Sequence, residues 1–231
     1  MAHPSPSRQS AITLVLASAS PSRGQLLRQA GFRFDQRPSD VDEEALTRSL
    51  ADAPASEVVL ALAKAKAEAV AADPDLDPDT LVLGCDSLLE LDGQVYGKPY
   101  TPERAIARWR RQRGRTANLL TGHWLVPVSA GDRAVGRTVS SAVTFVDATD
   151  AEIDDYVASG EPLGVAGAFT LEGRAGPLIA AVNGDPSNVL GLSLPGLRAM
   201  LGELGVSLAS VTRPPTEPVG ETRLPGQTRG S

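Results

Sequence analysis

Apolar positions along this chain fall into two alternating rhythms. Ile12-Thr13-Leu14-Val15-Leu16 and Leu81-Val82-Leu83 are continuous runs, too short for helices and suited to buried strands. Between such runs the spacing turns helical. Ser20-Pro21 is a helix start, with a capping serine and a proline at the first position, where its missing N–H costs nothing. Leu26, Leu27 and Ala30 give that helix its apolar side, and Gly31 ends it. Ser56 to Ala72 is an alanine-rich helix that stops before a Pro-Asp loop. Leu88 to Tyr96 predicts a hairpin around Asp92-Gly93, a favoured turn pair. Thr101-Pro102-Glu103 opens a helix to about Arg113, and strands are expected at Leu119 to Val128 and Val139 to Val146. Thr149 with Glu152 makes a capping box for a helix ending at Gly160. A strand over Leu178 to Val182 and a helix from about Pro195 to Leu204 complete the order. Interleaved strands and helices define an α/β fold. Met1 to Ser10 is polar and unpatterned, and Pro214 to Ser231 is rich in Pro, Gly, Thr and charge. The expectation is a disordered leader over 1–10, one folded domain over 11–207 and a disordered tail over 208–231.

Composition narrows the chemistry. The 231 residues are 42% hydrophobic but only 4% aromatic, so an aliphatic core is available and disorder of the whole chain is excluded. A net charge of −6 removes the usual electrostatic argument for nucleic-acid binding. The single cysteine, Cys85, excludes an intrachain disulfide and any cysteine-cluster metal site. The two histidines, His3 and His123, exclude a three-histidine zinc site and leave a Ser-His-Asp triad to rest on His123 alone. No apolar run approaches the ~20 residues of a membrane span, and the start lacks the order of a signal peptide. A cytoplasmic protein with no membrane partner is expected. Carboxylates, lysines, arginines and oxygen-held metals remain, and these suit phosphates.

Four segments carry such groups. Ser18-Ala19-Ser20-Pro21-Ser22-Arg23 joins a strand to a helix start, where free N–H groups and the helix dipole favour an anion; taken alone, it reads first as a helix cap. No G-x-x-x-x-G-K-[ST] phosphate loop is present. Gly84-Cys85-Asp86-Ser87 follows an apolar strand, so Asp86 stands where an α/β sheet opens its ligand crevice, as a general base or a Mg²⁺ ligand, or simply as a turn residue. Gly97-Lys98-Pro99 constrains a lysine to extended geometry and can aim it at a phosphate, while Lys64 and Lys66 on the alanine-rich helix read first as surface residues, as most helix lysines are. Arg104, Arg108, Arg110, Arg111, Arg113 and Arg115 hold one aromatic, Trp109, among them and fit a solvated helix face better than a nucleic-acid surface.

In order, these segments resemble the Maf family of nucleotide pyrophosphatases, once named for inhibition of septum formation. The likeness runs from Leu14 to about Leu204. It is carried by Leu14-Val15-Leu16-Ala17-Ser18-Ala19-Ser20-Pro21 with Arg23, by Ser39-Asp40-Val41-Asp42-Glu43, and by Leu60-Ala61 with Lys64-Ala65. Gly84-Cys85-Asp86-Ser87, Gly97-Lys98-Pro99, Gly160-Glu161-Pro162, Ala166-Gly167-Ala168-Phe169 and Gly184-Asp185-Pro186-Ser187-Asn188 continue it. The resemblance implies a two-lobed, Maf/ITPase-like α/β fold with an elongated, twisted mixed sheet flanked by helices around a central cleft. It implies a homodimer that hydrolyses nucleoside triphosphates to monophosphate and pyrophosphate with a divalent metal, Mg²⁺ or Mn²⁺, as a housekeeper of the nucleotide pool. By the same resemblance Asp86 is the general base. Ser20, Arg23, Lys64 and Lys98 bind substrate, and Glu43 joins Asp86 at the metal. The older name leaves an alternative, a non-catalytic binding protein in cell division, which would need no such set.

The chain departs from the family pattern at Ser22, where an arginine is common, at Ser87, where threonine is, and at Glu172, where the pyrimidine-specific group has glutamine. These three positions bear on base choice in the family, so a preference for dTTP or UTP does not carry over. Glu172, an acceptor-only carboxylate, is expected to contact the base. Val165 replaces a common lysine and Ala117 a common histidine.

Overall fold

The computed structural model describes residues 12–212. β1 (Thr13–Ala17) enters the sheet first and leads through Ser20 into α1 (Pro21–Gln29). β2 (Phe34–Gln36), α2 (Glu43–Ser49), α3 (Ala55–Ala71), β3 (Thr80–Leu91) and β4 (Gln94–Tyr96) follow. Then come α4 (Pro102–Gln112), β5 (Thr116–Pro127), β6 (Val135–Phe145) and α5 (Asp150–Ala158). β7 (Ile179–Asn183), α6 (Pro186–Val189), α7 (Leu194–Glu203) and α8 (Leu208–Val211) close the order. The strands form one mixed sheet, β2-β1-β3-β5-β6-β7, with β4 paired to the far end of β3. β1 is parallel to β2 and β3, and the other pairs are antiparallel.

β3, β5 and β6 are long enough to run through two lobes. In the first, Leu81, Leu83 and Cys85 alternate onto one sheet face with Leu27, Leu197 and Met200 from α1 and α7. Val82 faces the other way, towards Ala67 and Val70 of α3. In the second lobe Trp109 of α4 sits edge-on to Phe145 of β6 and Tyr156 of α5, with centroids 5.4 and 5.3 Å away. The architecture is α/β, as the interleaved elements predict, with the mixed sheet flanked by helices that the family resemblance implies.

Several local predictions hold. Asp92 and Gly93 both take positive φ in the hairpin, and Thr149 and Glu152 cap each other. The predicted short strand at Leu81 and the hairpin strand from Leu88 are instead one strand of 12 residues. Gly84-Cys85-Asp86-Ser87 is therefore mid-strand and not a turn, because Gly84 and Asp86 each have a paired residue on β5. The domain boundary expected at 207 also moves. Leu208–Val211 is helical, Val211 is fully buried, and Thr212 bridges Phe32. The leader over 1–10 and the tail beyond Thr212 lie outside the described residues.

Candidate active site

The cleft lies where β3 loses a neighbour. β1 ends opposite Gly84, and β4 begins pairing only at Leu89, so residues 85–88 have one open edge. The β1–α1 turn, Glu43, Lys66, Asp86, Lys98 and the loop 164–170 surround a cavity of about 230 Å³ there. The crevice thus belongs to the carboxyl end of β1, a parallel strand, while Asp86 reaches it from the side.

Two glycines bring the charged cluster together. A Cβ on Gly84 would stand 2.1 Å from the Ala63 carbonyl oxygen, and one on Gly122 would stand 2.2 Å from that of Val59. Only bare backbone lets α3 lie this close to β3 and β5. Lys66 then projects from the buried stripe of α3 into the cleft. Its Nζ is 2.6 Å from Asp86 Oδ1 and 2.9 Å from Glu43 Oε1. The side chains of Lys66 and Asp86 are 7% and 12% exposed, whereas Glu43, on a helix with no buried residue, is 53% exposed. A charge this buried is tolerated only with its partner in place.

Arg23 closes the opposite wall. Its Nε donates to the Gly191 carbonyl at 2.7 Å, Nη1 to Ser18 Oγ at 3.0 Å and Nη2 to Ser87 Oγ at 3.0 Å. Each guanidinium nitrogen is thus committed to the protein, and two N–H groups remain for a ligand. Ser87 Oγ is also 2.9 Å from Thr121 Oγ1. Ser20 begins α1 without a side-chain cap bond, and it lines the cleft together with Pro21 of the first turn. Ser22 lines the same turn, and Lys98 stands exposed on the cleft with no ion-pair partner among the described residues.

The cleft gathers Ser20, Ser22, Arg23, Glu43, Asp86, Ser87 and Lys98. It does not include Lys64 or Glu172. Lys64 lies over the Trp124 ring at 5.1 Å and pairs weakly with Glu68 at 3.9 Å. Lys66 stands in its place, and the sequence held a signal for this: Lys66 is four residues from both Leu62 and Val70 on the apolar stripe, whereas Lys64 is off it. Glu172 is exposed to solvent outside the cleft, and Thr170 of the same loop is the residue that lines it. Val165 lines the cleft, while Ala117 is buried in the distal core.

The remaining candidates have structural roles. His123 is fully buried, with Nε2 accepting the Ser193 N–H at 2.8 Å and Nδ1 3.3 Å from the Arg137 carbonyl. Burial pushes its pKa down to about 4, so it serves as a neutral strut. Burial raises the Cys85 thiol to about 11, which makes it an inert core group. Arg110 and Arg113 pair with Asp150, and Arg115 with Asp92. Among the described residues no three His, Cys, Asp or Glu side chains converge to hold a metal, and no helix is long and apolar enough to cross a membrane.

Comparison with known proteins finds relatives along most of the chain. A nucleoside triphosphate pyrophosphatase of Nocardia farcinica (strain IFM 10152) is 51% identical over 207 residues, covering 88% of this chain and 98% of its own. One of Streptomyces coelicolor (strain ATCC BAA-471 / A3(2) / M145) is 52% identical over 201 residues, 87% of this chain and 95% of its own. Among solved structures, a HAM1 protein from Coxiella burnetii covers 83% of this chain and 99% of its own at 14% identity, with a TM-score of 0.42. The family model described as "Maf-like protein" matches residues 13–204, nearly all of the described chain, and this protein belongs to that family.

Proposed function

We propose that this chain hydrolyses nucleoside triphosphates to monophosphate and pyrophosphate. The observation that carries the reading is the Glu43–Lys66–Asp86 cluster at the head of a cleft bounded by a helix N-terminus and by Lys98, which has no ion-pair partner among the described residues. The names of the two relatives above support it. In this reading Lys98 and the first turn of α1 hold the phosphate chain, while Asp86 takes the proton of a water attacking the α-phosphorus. Lys66 keeps Asp86 in place and offsets the charge that gathers between two carboxylates and a polyphosphate. Arg23 chiefly braces the wall, because its nitrogens are already bonded to Ser18, Ser87 and Gly191.

The donor set fits a divalent cation held jointly with substrate. Asp86 and Glu43 each give one oxygen to Lys66 and keep a second for another partner. Two carboxylates completed by phosphate oxygens and water suit Mg²⁺ or Mn²⁺, which needs no all-protein cage. Asp86 and Glu43 would hold such a metal, and it would supply positive charge against the charge developing on the phosphates. The reading brings with it a nucleotide-pool role in the cytoplasm and the homodimer that the family resemblance implies.

A screen of pyrophosphate release over normal and modified nucleoside triphosphates, with and without Mg²⁺, tests it. Asp86→Asn is near-isosteric but accepts no proton, so it is expected to lose ~10²–10⁴-fold in kcat while still binding nucleotide. A variant that keeps more than about a tenth of the wild-type rate removes Asp86 from the base role.

A further inference from the structure

Lys98 stands on the cleft with no side-chain partner among the described residues, so its aim depends on the backbone that carries it. That backbone is gripped on both sides. The Gly97 carbonyl accepts the Gly167 N–H at 3.2 Å, and the Tyr100 N–H donates to the Leu163 carbonyl at 3.0 Å. Pro99 is buried and restricts Lys98 to extended geometry. Tyr100 holds a left-handed φ of 62°, a conformation that a tyrosine keeps only where its surroundings impose it.

One side chain joins this arrangement from outside the cleft. Arg108 Nη1, from α4, donates to the same Gly97 carbonyl, and its guanidinium lies over the Tyr96 ring, 4.9 Å from the centroid. Arg108 thus holds the two residues immediately before Lys98. Its neighbours Arg110 and Arg113 turn to Asp150 instead. The planar fork of an arginine can bond a carbonyl while stacked on an aromatic face, and an ammonium cannot do both.

We infer that Arg108 is a positioning residue of the polyphosphate site: it fixes Tyr96 and Gly97, and so fixes the direction in which Lys98 meets the anion. The inference rests on the triphosphate reading of the cleft and adds a residue that does not line it.

A double-mutant cycle tests it, with inorganic tripolyphosphate as the probe and calorimetry as the readout. Arg108→Met keeps the aliphatic stem and removes the donor. It is expected to weaken binding about 5–10-fold in the wild-type background and less than about 2-fold in a Lys98→Met background, because a loosened loop cannot misdirect an absent ammonium. Arg108→Lys keeps the charge and runs the same cycle. It should lose less than Arg108→Met and show the same dependence on Lys98, and it carries the test if Arg108→Met does not fold. Equal losses in both backgrounds mean that Arg108 acts as a charge in its own right or through the fold at large, and overturn the inference. No loss in either background also overturns it. A wild-type protein that binds no tripolyphosphate defeats the triphosphate reading itself, a result distinct from an additive cycle.

Discussion

Replacing Gly84 by alanine probes the link between sheet packing and the charged cluster. The added methyl would stand 2.1 Å from the Ala63 carbonyl oxygen and 2.9 Å from the Ala67 nitrogen, both backbone atoms of α3. Methyl groups essentially never come closer than 3.0 Å, so α3 must retreat by about 0.9 Å at Ala63, the difference between 3.0 and 2.1 Å. Lys66 lies between those two residues and moves with them. A shift of that size stretches its 2.6 Å bond to Asp86 beyond good hydrogen-bond length. Overpacking of this kind costs about 1–3 kcal/mol of stability. Misplacement by about 1 Å near the reacting groups costs on the order of 10²-fold in rate. The assays are urea unfolding and pyrophosphate release at saturating substrate. Gly202→Ala is the control, since nothing lies within 4 Å of its new methyl, and it should leave the rate unchanged while stabilising α7 by about 0.5–1 kcal/mol. A folded Gly84→Ala protein with the wild-type rate refutes the claim that helix–sheet contact sets the Lys66–Asp86 geometry.

Lys66→Met strands Asp86 beside an apolar stem and is expected to cost about 3 kcal/mol and nearly all activity, whereas Lys64→Met removes an exposed i,i+4 pair and a contact with the Trp124 ring, together about 1 kcal/mol, and leaves turnover intact; unfolding curves and turnover of the two variants separate them. Glu172→Gln should leave the ratio of kcat/KM values across bases unchanged, because Glu172 is exposed outside the cleft; a changed ratio would put it at the base after all. His123 has its folded pKa lowered from 6.5 to about 4, so the unfolded chain takes up the proton first as pH falls. Its share of stability is intact above about pH 6.5 and declines towards pH 4, by ~3 kcal/mol in all. His123→Gln should show a flatter stability profile than the wild type over that window in urea titrations.

Local signals in the sequence translated well where backbone chemistry alone decides the outcome. The helix start at Pro21, the Asp92-Gly93 turn and the Thr149–Glu152 capping box all stand where their residue types require, although the Ser20 side chain makes no cap bond. The errors have two causes, tertiary contact and its absence. Gly84 reads as the end of a strand, yet its missing side chain serves the approach of α3 in the middle of a strand of 12 residues. α2 escaped notice because it buries nothing and has no apolar face to read. The motif likeness pointed to Lys64, although the period of α3 marks Lys66 as the buried lysine. Of the site itself, Ser20, Arg23, Glu43, Asp86 and Lys98 were legible as candidates. That Arg23 is largely spent on protein partners was not, since its bonds run to residues 5, 64 and 168 positions away in the chain.

The central claim is that water attacks the α-phosphorus under Asp86. Hydrolysis of a nucleoside triphosphate in ¹⁸O-labelled water, with mass analysis of both products, tests it most directly. The account predicts one labelled oxygen in the nucleoside monophosphate and none in the pyrophosphate, with turnover lost in Asp86→Asn. Label in the pyrophosphate, or release of orthophosphate and nucleoside diphosphate, would contradict it.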